Sequence, residues 1–236
     1  MPEPYRVDWV PPGSCAGSES ACFATSYPVP LGDGSHLILP LKPLPGGDQA
    51  VALLMASQTS FEVERRVVER LTDLVRTAAP DAVVGIPTLG LAYASRVADA
   101  IGLSDFVALG HSRKFWYDDE LSEASVSATS PDQSKRVYLD PALLSRVHGR
   151  RVVIVDDVLN TGGTMTAAVR LLQRAHAEIV AVVAVLTEGW EWSHALAHID
   201  PTLPKKVRAL GHIPIFGRVN GGWAPLMGTE LAARPG

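Results

Sequence analysis

The amino-acid sequence predicts an α/β fold in which helices cover both faces of a mainly parallel, twisted sheet. Two observations support this fold class. From residue 59 onwards, short apolar runs alternate with stretches whose apolar residues recur at helical spacing. One run, Val152–Val155, is β-branched at every position, which is typical of a strand buried on both faces of a parallel sheet. The chain has 236 residues, 47% of them hydrophobic, so it can bury one full core.

The first predicted elements are a hairpin and a helix. Apolar or alternating runs at residues 21–29 and 36–41 flank the turn signal Gly32-Asp33-Gly34. Thr59-Ser60-Phe61-Glu62 then fits a capping box, and apolar residues at helical spacing predict a helix over residues 61–75. An amphipathic helix of this kind packs its apolar side on another element.

The remaining elements alternate along the chain. We predict strand 82–86, helix 91–101, strand 106–109, strand 152–155, helix 165–175 and strand 179–186. Residues 207–216 are predicted to add one more strand. Residues 217–236 are interpreted as a tail that could reach a neighbouring subunit.

The run from Arg151 to Thr164, RVVIVDDVLNTGGT, indicates the chemistry. Its strand ends in Asp156 and Asp157, which places two carboxylates at the rim of the sheet. The glycines that follow lie in a strand-to-helix turn, where backbone N–H groups and the positive end of a helix suit a phosphate. An alternative is that the acids only fill turn and cap positions and the glycines only permit positive φ. The P-loop lysine pattern and the Gly-x-Gly-x-x-Gly pattern are both absent from the sequence.

This run resembles the binding motif for phosphoribosyl diphosphate (PRPP) in the type I phosphoribosyltransferase family: apolar residues, two acids, then Thr-Gly-Gly-Thr. The resemblance implies a single domain over residues 1–236. Its core would span about residues 59–187, with a small hood from residues 5–44 and 187–236 and a mobile hairpin flap. It also implies that Asp156 and Asp157 form the catalytic pair that binds the ribose hydroxyls. The 5-phosphate would be held by Asn160, Thr161, Gly162, Gly163 and Thr164.

Two further loops leave the carboxyl ends of predicted strands, where ligands of such sheets collect. By the same resemblance, the diphosphate binds at Thr88, Leu89 and Gly90, although such a turn is also an ordinary helix start. The connection after residue 109 is unusually long and would contain the flap. The cations available there are Arg113 and Lys114 for the diphosphate, and Lys135 and Arg136 in the flap; each could equally be a solvated surface charge.

His111 stands at the exit of the predicted strand 106–109. It is either a general acid or base or a polar surface residue. Trp190 and Trp192 follow the last core strand, where they could stack on a base or plug the core.

The function implied by the resemblance is transfer of phosphoribose from PRPP to a nitrogenous base, a purine, with release of diphosphate. The reaction would depend on Mg²⁺ held mainly by PRPP and water, with no dedicated protein metal site. The alternative from another class is a PRPP-sensing regulator with the same fold and no turnover. Such regulators usually carry a DNA-binding domain, and this sequence has no basic helix-turn-helix segment, which favours the enzyme.

Composition limits the partners and the location. The 21 basic and 25 acidic residues give a net charge of −4, which implies no bulk attraction to nucleic acid or to an anionic membrane. No apolar stretch is long enough for a membrane span, and Cys15 and Cys22 are too few for a disulfide framework. We therefore expect a cytoplasmic protein. By the resemblance its partners are PRPP and a small base, and we also expect a homodimer.

Overall fold

The predicted N-terminal hairpin is present and belongs to an antiparallel sheet. The computed structural model describes residues 6–14, 22–127 and 130–233, without the side chains of residues 126–135 and 233. The first strands are β1 (Asp8–Val10), β2 (Ser26–Pro30), β3 (His36–Pro43) and β4 (Gln49–Ala52). β3 pairs with the other three, always antiparallel. Leu37, Leu39 and Leu41 of β3 are buried at alternate positions, as a strand with one covered face requires.

The alternating region folds into the predicted strands and covering helices, to which the structure adds two short helices after residue 190 that were not predicted. In chain order these are α1 (Phe61–Arg76), β5 (Ala82–Gly85), α2 (Gly90–Ala100), β6 (Val107–Ala108), β7 (Ser122–Ser127), β8 (Ser130–Tyr138), β9 (Arg151–Leu159), α3 (Gly163–Arg174), β10 (Glu178–Glu188), α4 (Glu191–Ala197), α5 (Leu203–Lys206) and β11 (Val207–Ile213). Five strands form a parallel sheet in the order β11-β10-β9-β5-β6. The strand that carries the acidic motif, β9, therefore lies at the centre of the sheet.

Helices cover both faces of this sheet. Val153 and Val155 of β9 belong to the core cluster that contains the apolar residues of α1 and α2. Val152 and Ile154 belong to a second cluster that contains the apolar residues of α3. Because β9 is buried on both faces, its continuous apolar run was a correct signal for a parallel strand.

Helix α1 begins at Phe61, as predicted, but its N-cap lies one residue later than Thr59, the N-cap of the predicted capping box. Its N-cap is Ser60, whose hydroxyl accepts a hydrogen bond from the Val63 N–H at 3.2 Å. The Thr59 hydroxyl instead donates to the Ala56 carbonyl at 3.0 Å, because a short 3-10 turn precedes the helix.

The long connection after β6 contains the predicted hairpin, formed by β7 and β8. The hairpin packs on α3, where the Arg174 guanidinium donates to the Ser122 carbonyl at 3.1 Å. Its position against the helix that follows the motif is therefore established, whereas its mobility stays a prediction.

The C-terminal segment is not the protruding tail that the sequence predicted. β12 (Phe216–Val219) and β13 (Gly222–Pro225) form a hairpin, and β12 pairs with β4 of the N-terminal sheet. Phe216 is fully buried, with its ring centroid 4.9 Å from that of Tyr27. The terminal segments thus build the predicted hood together, and the hood shares a core cluster with the parallel sheet. None of the helices in the described part of the chain has the length and apolar character of a membrane span.

Candidate active site

Two adjacent carboxylates lie at the carboxyl end of the central strand. Asp156 is only 7% exposed, and its Oδ1 accepts a hydrogen bond from the Asp157 N–H at 2.9 Å. Burial raises the pKa of Asp156 well above its ordinary value, and the neighbouring Asp157 charge adds to this rise. Burial likewise raises the pKa of the Asp157 carboxyl. The ionised pair is therefore costly in the free protein and is stabilised by a ligand that brings hydroxyl donors or positive charge.

The predicted diphosphate turn touches this acid pair. The turn follows β5, where the Ile86 N–H donates to the Val155 carbonyl at 3.0 Å, and its Pro87–Thr88 peptide bond is cis. A Cβ atom placed on Gly90 would lie 2.8 Å from Asp156 Oδ1 and 2.9 Å from Asp156 Cα. Glycine is thus required at this position because the turn and the backbone of β9 are in direct contact.

The predicted phosphate loop leads into α3, as the sequence indicated. Gly162 is the N-cap and has φ of 81°, and Gly163 is the first helical residue. A Cβ on Gly162 would lie 2.9 Å from Trp192 Cα, so this glycine is also required by close packing. Asn160, Thr161 and Thr164 are half-buried. The loop therefore presents an open helix N-terminus, next in sequence to the acid pair.

Two of the predicted cations, Arg113 and Arg136, have partners other than the acid pair. The Arg113 guanidinium pairs with Asp119 at 2.8 Å, and Lys114 is exposed. The Arg136 guanidinium donates to the Ser122 hydroxyl at 2.7 Å, which ties the two strands of the hairpin together. The side chain of Lys135 lies outside the described part of the chain.

The flap hairpin nevertheless reaches the phosphate loop. Ser125 in β7 is buried, and its hydroxyl donates to the Thr164 hydroxyl at 3.1 Å. A hairpin in this position can respond to a phosphate bound at the loop, because both segments share that contact.

Trp190 and Trp192 are packed rather than presented to solvent. Trp192 is 2% exposed, and its Nε1 donates to the Gly189 carbonyl at 3.0 Å. Trp190 is 8% exposed and stacks on His212, with 4.4 Å between ring centroids. A pocket of about 310 Å³ lies beside these rings. Its other side is lined by β11 and by residues 30–32, in the turn between β2 and β3. Stacking of a base on these tryptophans stays a prediction that the observed packing does not favour.

Glu188 was overlooked in the sequence. It is the last residue of β10, it is 6% exposed, and its Oε1 has no hydrogen-bond partner within the described residues. Burial raises its pKa to about 7. The signal that could have found it was available: a carboxylate follows an apolar run here, as Asp156 follows Val152–Val155.

Replacing Glu188 with Gln is expected to stabilise the protein above neutral pH. The folded-state pKa of about 7 exceeds the ordinary value of 4.5, so stability from this group is lost as the pH rises between these values. Gln cannot ionise, and at pH 8 the variant should gain up to about 3 kcal/mol in the free energy of unfolding. Urea unfolding at pH 5 and pH 8 measures this, with exposed Glu191→Gln as the control. Equal stability of Glu188→Gln and the wild type at pH 8 would contradict the assignment.

Comparison with known proteins identifies the family of the chain. The family model for the phosphoribosyl transferase domain matches residues 59–203. A hypoxanthine/guanine phosphoribosyltransferase of Methanococcus voltae is 32% identical over 136 residues, which are 58% of this chain and 65% of the relative. An adenine phosphoribosyltransferase of Carboxydothermus hydrogenoformans is 36% identical over 125 residues, which are 53% of this chain and 69% of the relative.

A solved structure agrees at the level of the fold. The adenine phosphoribosyltransferase of Giardia lamblia complexed with 9-deazaadenine superposes with a TM-score of 0.58 at 18% identity, covering 74% of this chain and 93% of that chain. The chain spans 65% of the length of the Methanococcus relative. Since the family model covers more than half of the chain and includes the acid pair and the phosphate loop, the protein belongs to the phosphoribosyltransferase family, as its type I motif predicted.

Proposed function

We propose that the protein transfers phosphoribose from PRPP to a purine base in a Mg²⁺-dependent reaction that releases diphosphate. One observation carries the proposal: a buried acid pair, a turn packed directly on it and an open helix N-terminus meet at one edge of the sheet. These three parts match the three parts of PRPP, which are a ribose diol, a diphosphate and a 5-phosphate. The names of the relatives support the choice of a purine.

Each segment has a distinct part in the proposed reaction. Asp156 and Asp157 accept hydrogen bonds from the ribose hydroxyls and place negative charge near the ring, which becomes cationic as the bond to diphosphate breaks. Residues 160–164 hold the 5-phosphate by backbone N–H groups, so that binding energy far from the reacting carbon orients it. The amides at Thr88, Leu89 and Gly90 face the diphosphate. The β7–β8 hairpin closes over the site and excludes water.

Magnesium fits this arrangement as a companion of the substrate. Among the described residues, no group of three or more His, Cys, Asp or Glu is placed to hold a metal ion. The acid pair provides oxygen donors at the rim, the type that Mg²⁺ accepts beside phosphate oxygens. When bound with PRPP, the ion neutralises the diphosphate leaving group.

A binding and turnover experiment tests the proposal. Calorimetry should show that PRPP binds in the presence of Mg²⁺, because the phosphate loop and the acid pair are preformed. A diphosphate-release assay should then detect turnover with adenine, hypoxanthine or guanine, and little with orotate or uracil. Asp157→Asn serves as the site control and should weaken PRPP binding.

The other outcomes have definite meanings. Binding of PRPP without diphosphate release from any base would identify a PRPP sensor. Turnover of orotate or uracil alone would overturn the purine assignment and leave the PRPP site standing. Absence of PRPP binding would overturn the whole proposal.

A further inference from the structure

The imidazole of His111 joins two segments that are distant in sequence. Its Nε2 lies 3.2 Å from the carbonyl oxygen of Pro87, in the diphosphate turn. Its Nδ1 lies 3.1 Å from the carbonyl oxygen of Arg136, in strand β8 of the flap hairpin. The side chain is half-buried and lies in the loop after β6. Both ring nitrogens therefore face backbone carbonyl oxygens. A neutral imidazole carries one N–H and donates to one of them: the Nε2–H tautomer donates to Pro87, and the Nδ1–H tautomer donates to Arg136.

The contact with Pro87 bears directly on the diphosphate turn. The carbonyl of Pro87 and the N–H of Thr88 belong to one planar peptide unit, so a hydrogen bond that fixes the carbonyl also fixes the direction of the N–H. That N–H is one of the amides proposed to face the diphosphate. If the Thr88 N–H is oriented before PRPP arrives, the affinity for PRPP is higher, because ordering the peptide unit during binding costs free energy.

Strand β8 provides the anchor through its backbone, because the tautomer that donates to Pro87 has no N–H on the nitrogen that faces Arg136. Strand β8 is tied to the same loop by two backbone hydrogen bonds, Gly110 N–H to Tyr138 O at 3.0 Å and Tyr138 N–H to Gly110 O at 2.8 Å. His111 follows directly after this pair of bonds, so its backbone is held firmly. The ring therefore transmits the position of the hairpin base to the diphosphate turn.

We propose that His111 is a positioning residue that orients the Pro87–Thr88 peptide unit for the diphosphate of PRPP, using the base of the flap hairpin as its anchor. The proposal rests on the proposed function, because it assigns a role to a residue near the same site. This role differs from the two that the sequence suggested for His111, which were a general acid or base and a polar surface residue.

Substitutions that keep one contact at a time test this role. The amide nitrogen of Gln can occupy the place of Nε2, and that of Asn the place of Nδ1. His111→Gln therefore retains a donor for Pro87 and His111→Asn a donor for Arg136, while His111→Ala retains neither. His148→Ala, at an exposed histidine, is the matched control. The readouts are the KM for PRPP, the KM for the purine, the PRPP Kd from calorimetry and the melting temperature.

We expect His111→Ala to raise the KM and the Kd for PRPP about tenfold, the effect of one hydrogen bond in a site of this kind. The KM for the purine should change less than twofold. His111→Gln should recover most of the PRPP affinity and His111→Asn should not, since only Gln reaches Pro87. The His148→Ala control should match the wild type.

Three results would overturn the inference. PRPP affinity in His111→Ala within twofold of the wild type would show a purely structural role, whatever its melting temperature. Affinity in His111→Asn equal to or better than in His111→Gln would show that the Pro87 contact is not the one that matters. If His111→Ala does not fold, the comparison of Gln with Asn still decides. If the wild-type protein does not bind PRPP, the proposed function is wrong, and this inference is wrong with it.

Discussion

Replacing Asp156 with Asn is expected to remove most of the activity and, at the same time, to stabilise the protein. Asn keeps the size of the side chain but removes the negative charge next to the ribose ring. Loss of one such preorganised electrostatic contact lowers kcat/KM by about 10²–10³-fold. Activity measured with saturating Mg²⁺ and varied PRPP tests this part.

The stability gain follows from burial. The folded-state pKa of Asp156 is raised by burial and by the charge of Asp157, so ionisation of the acid costs stability as the pH rises above its ordinary value of 3.8. Asn avoids that cost. The melting temperature of the ligand-free variant should exceed that of the wild type at pH 8, and the difference should shrink towards pH 4. The exposed Asp73→Asn change is the control, with a side chain that is 72% exposed.

This combination of effects separates a functional acid from a structural one. If Asp156 supported the fold, Asn would lower both activity and melting temperature. A variant that retained wild-type kcat/KM for PRPP would show that the acid pair is not part of the reaction site.

Replacing Gly90 with Ala is expected to lower both activity and stability. The added methyl group would meet the carboxylate oxygen and the Cα of Asp156 at 2.8 and 2.9 Å, and a backbone atom cannot rotate away as a flexible side chain can. Overpacking of this kind costs about 1–3 kcal/mol. The diphosphate turn must shift away from β9, and a displacement near 1 Å costs about 10²-fold in rate.

Gly32→Ala is the matched control for this change, because a Cβ at Gly32 meets nothing within 4 Å and the residue has no positive φ. Thermal unfolding and PRPP kinetics of both variants measure the effect. Wild-type kinetics in Gly90→Ala would mean that the contact between the turn and the acid strand has no part in binding PRPP.

The sequence by itself determined the elements and the motif. The β-branched run of Val152–Val155 predicted a buried parallel strand, because a strand covered on both faces has no solvent-exposed side and therefore no alternating polar residues. The helix over residues 61–75 and the start of α3 were predicted because apolar spacing and glycine conformation are local properties. The acids and the phosphate loop were found for the same reason: the whole constellation lies within fourteen consecutive residues.

Only the tertiary structure decided which distant residues meet. The hood was predicted from the sequence, but the pairing of β12 with β4 inside it was not, since strand partners depend on the packing of residues such as Phe216 rather than on local pattern. Trp190 was open to two interpretations until stacking on His212 placed it in the interior. The contacts of Gly90 with Asp156 and of His111 with Pro87 join segments far apart in sequence. Composition and residue spacing do not predict such contacts, because the contacts form only when packing of the core brings the loops to one edge of the sheet.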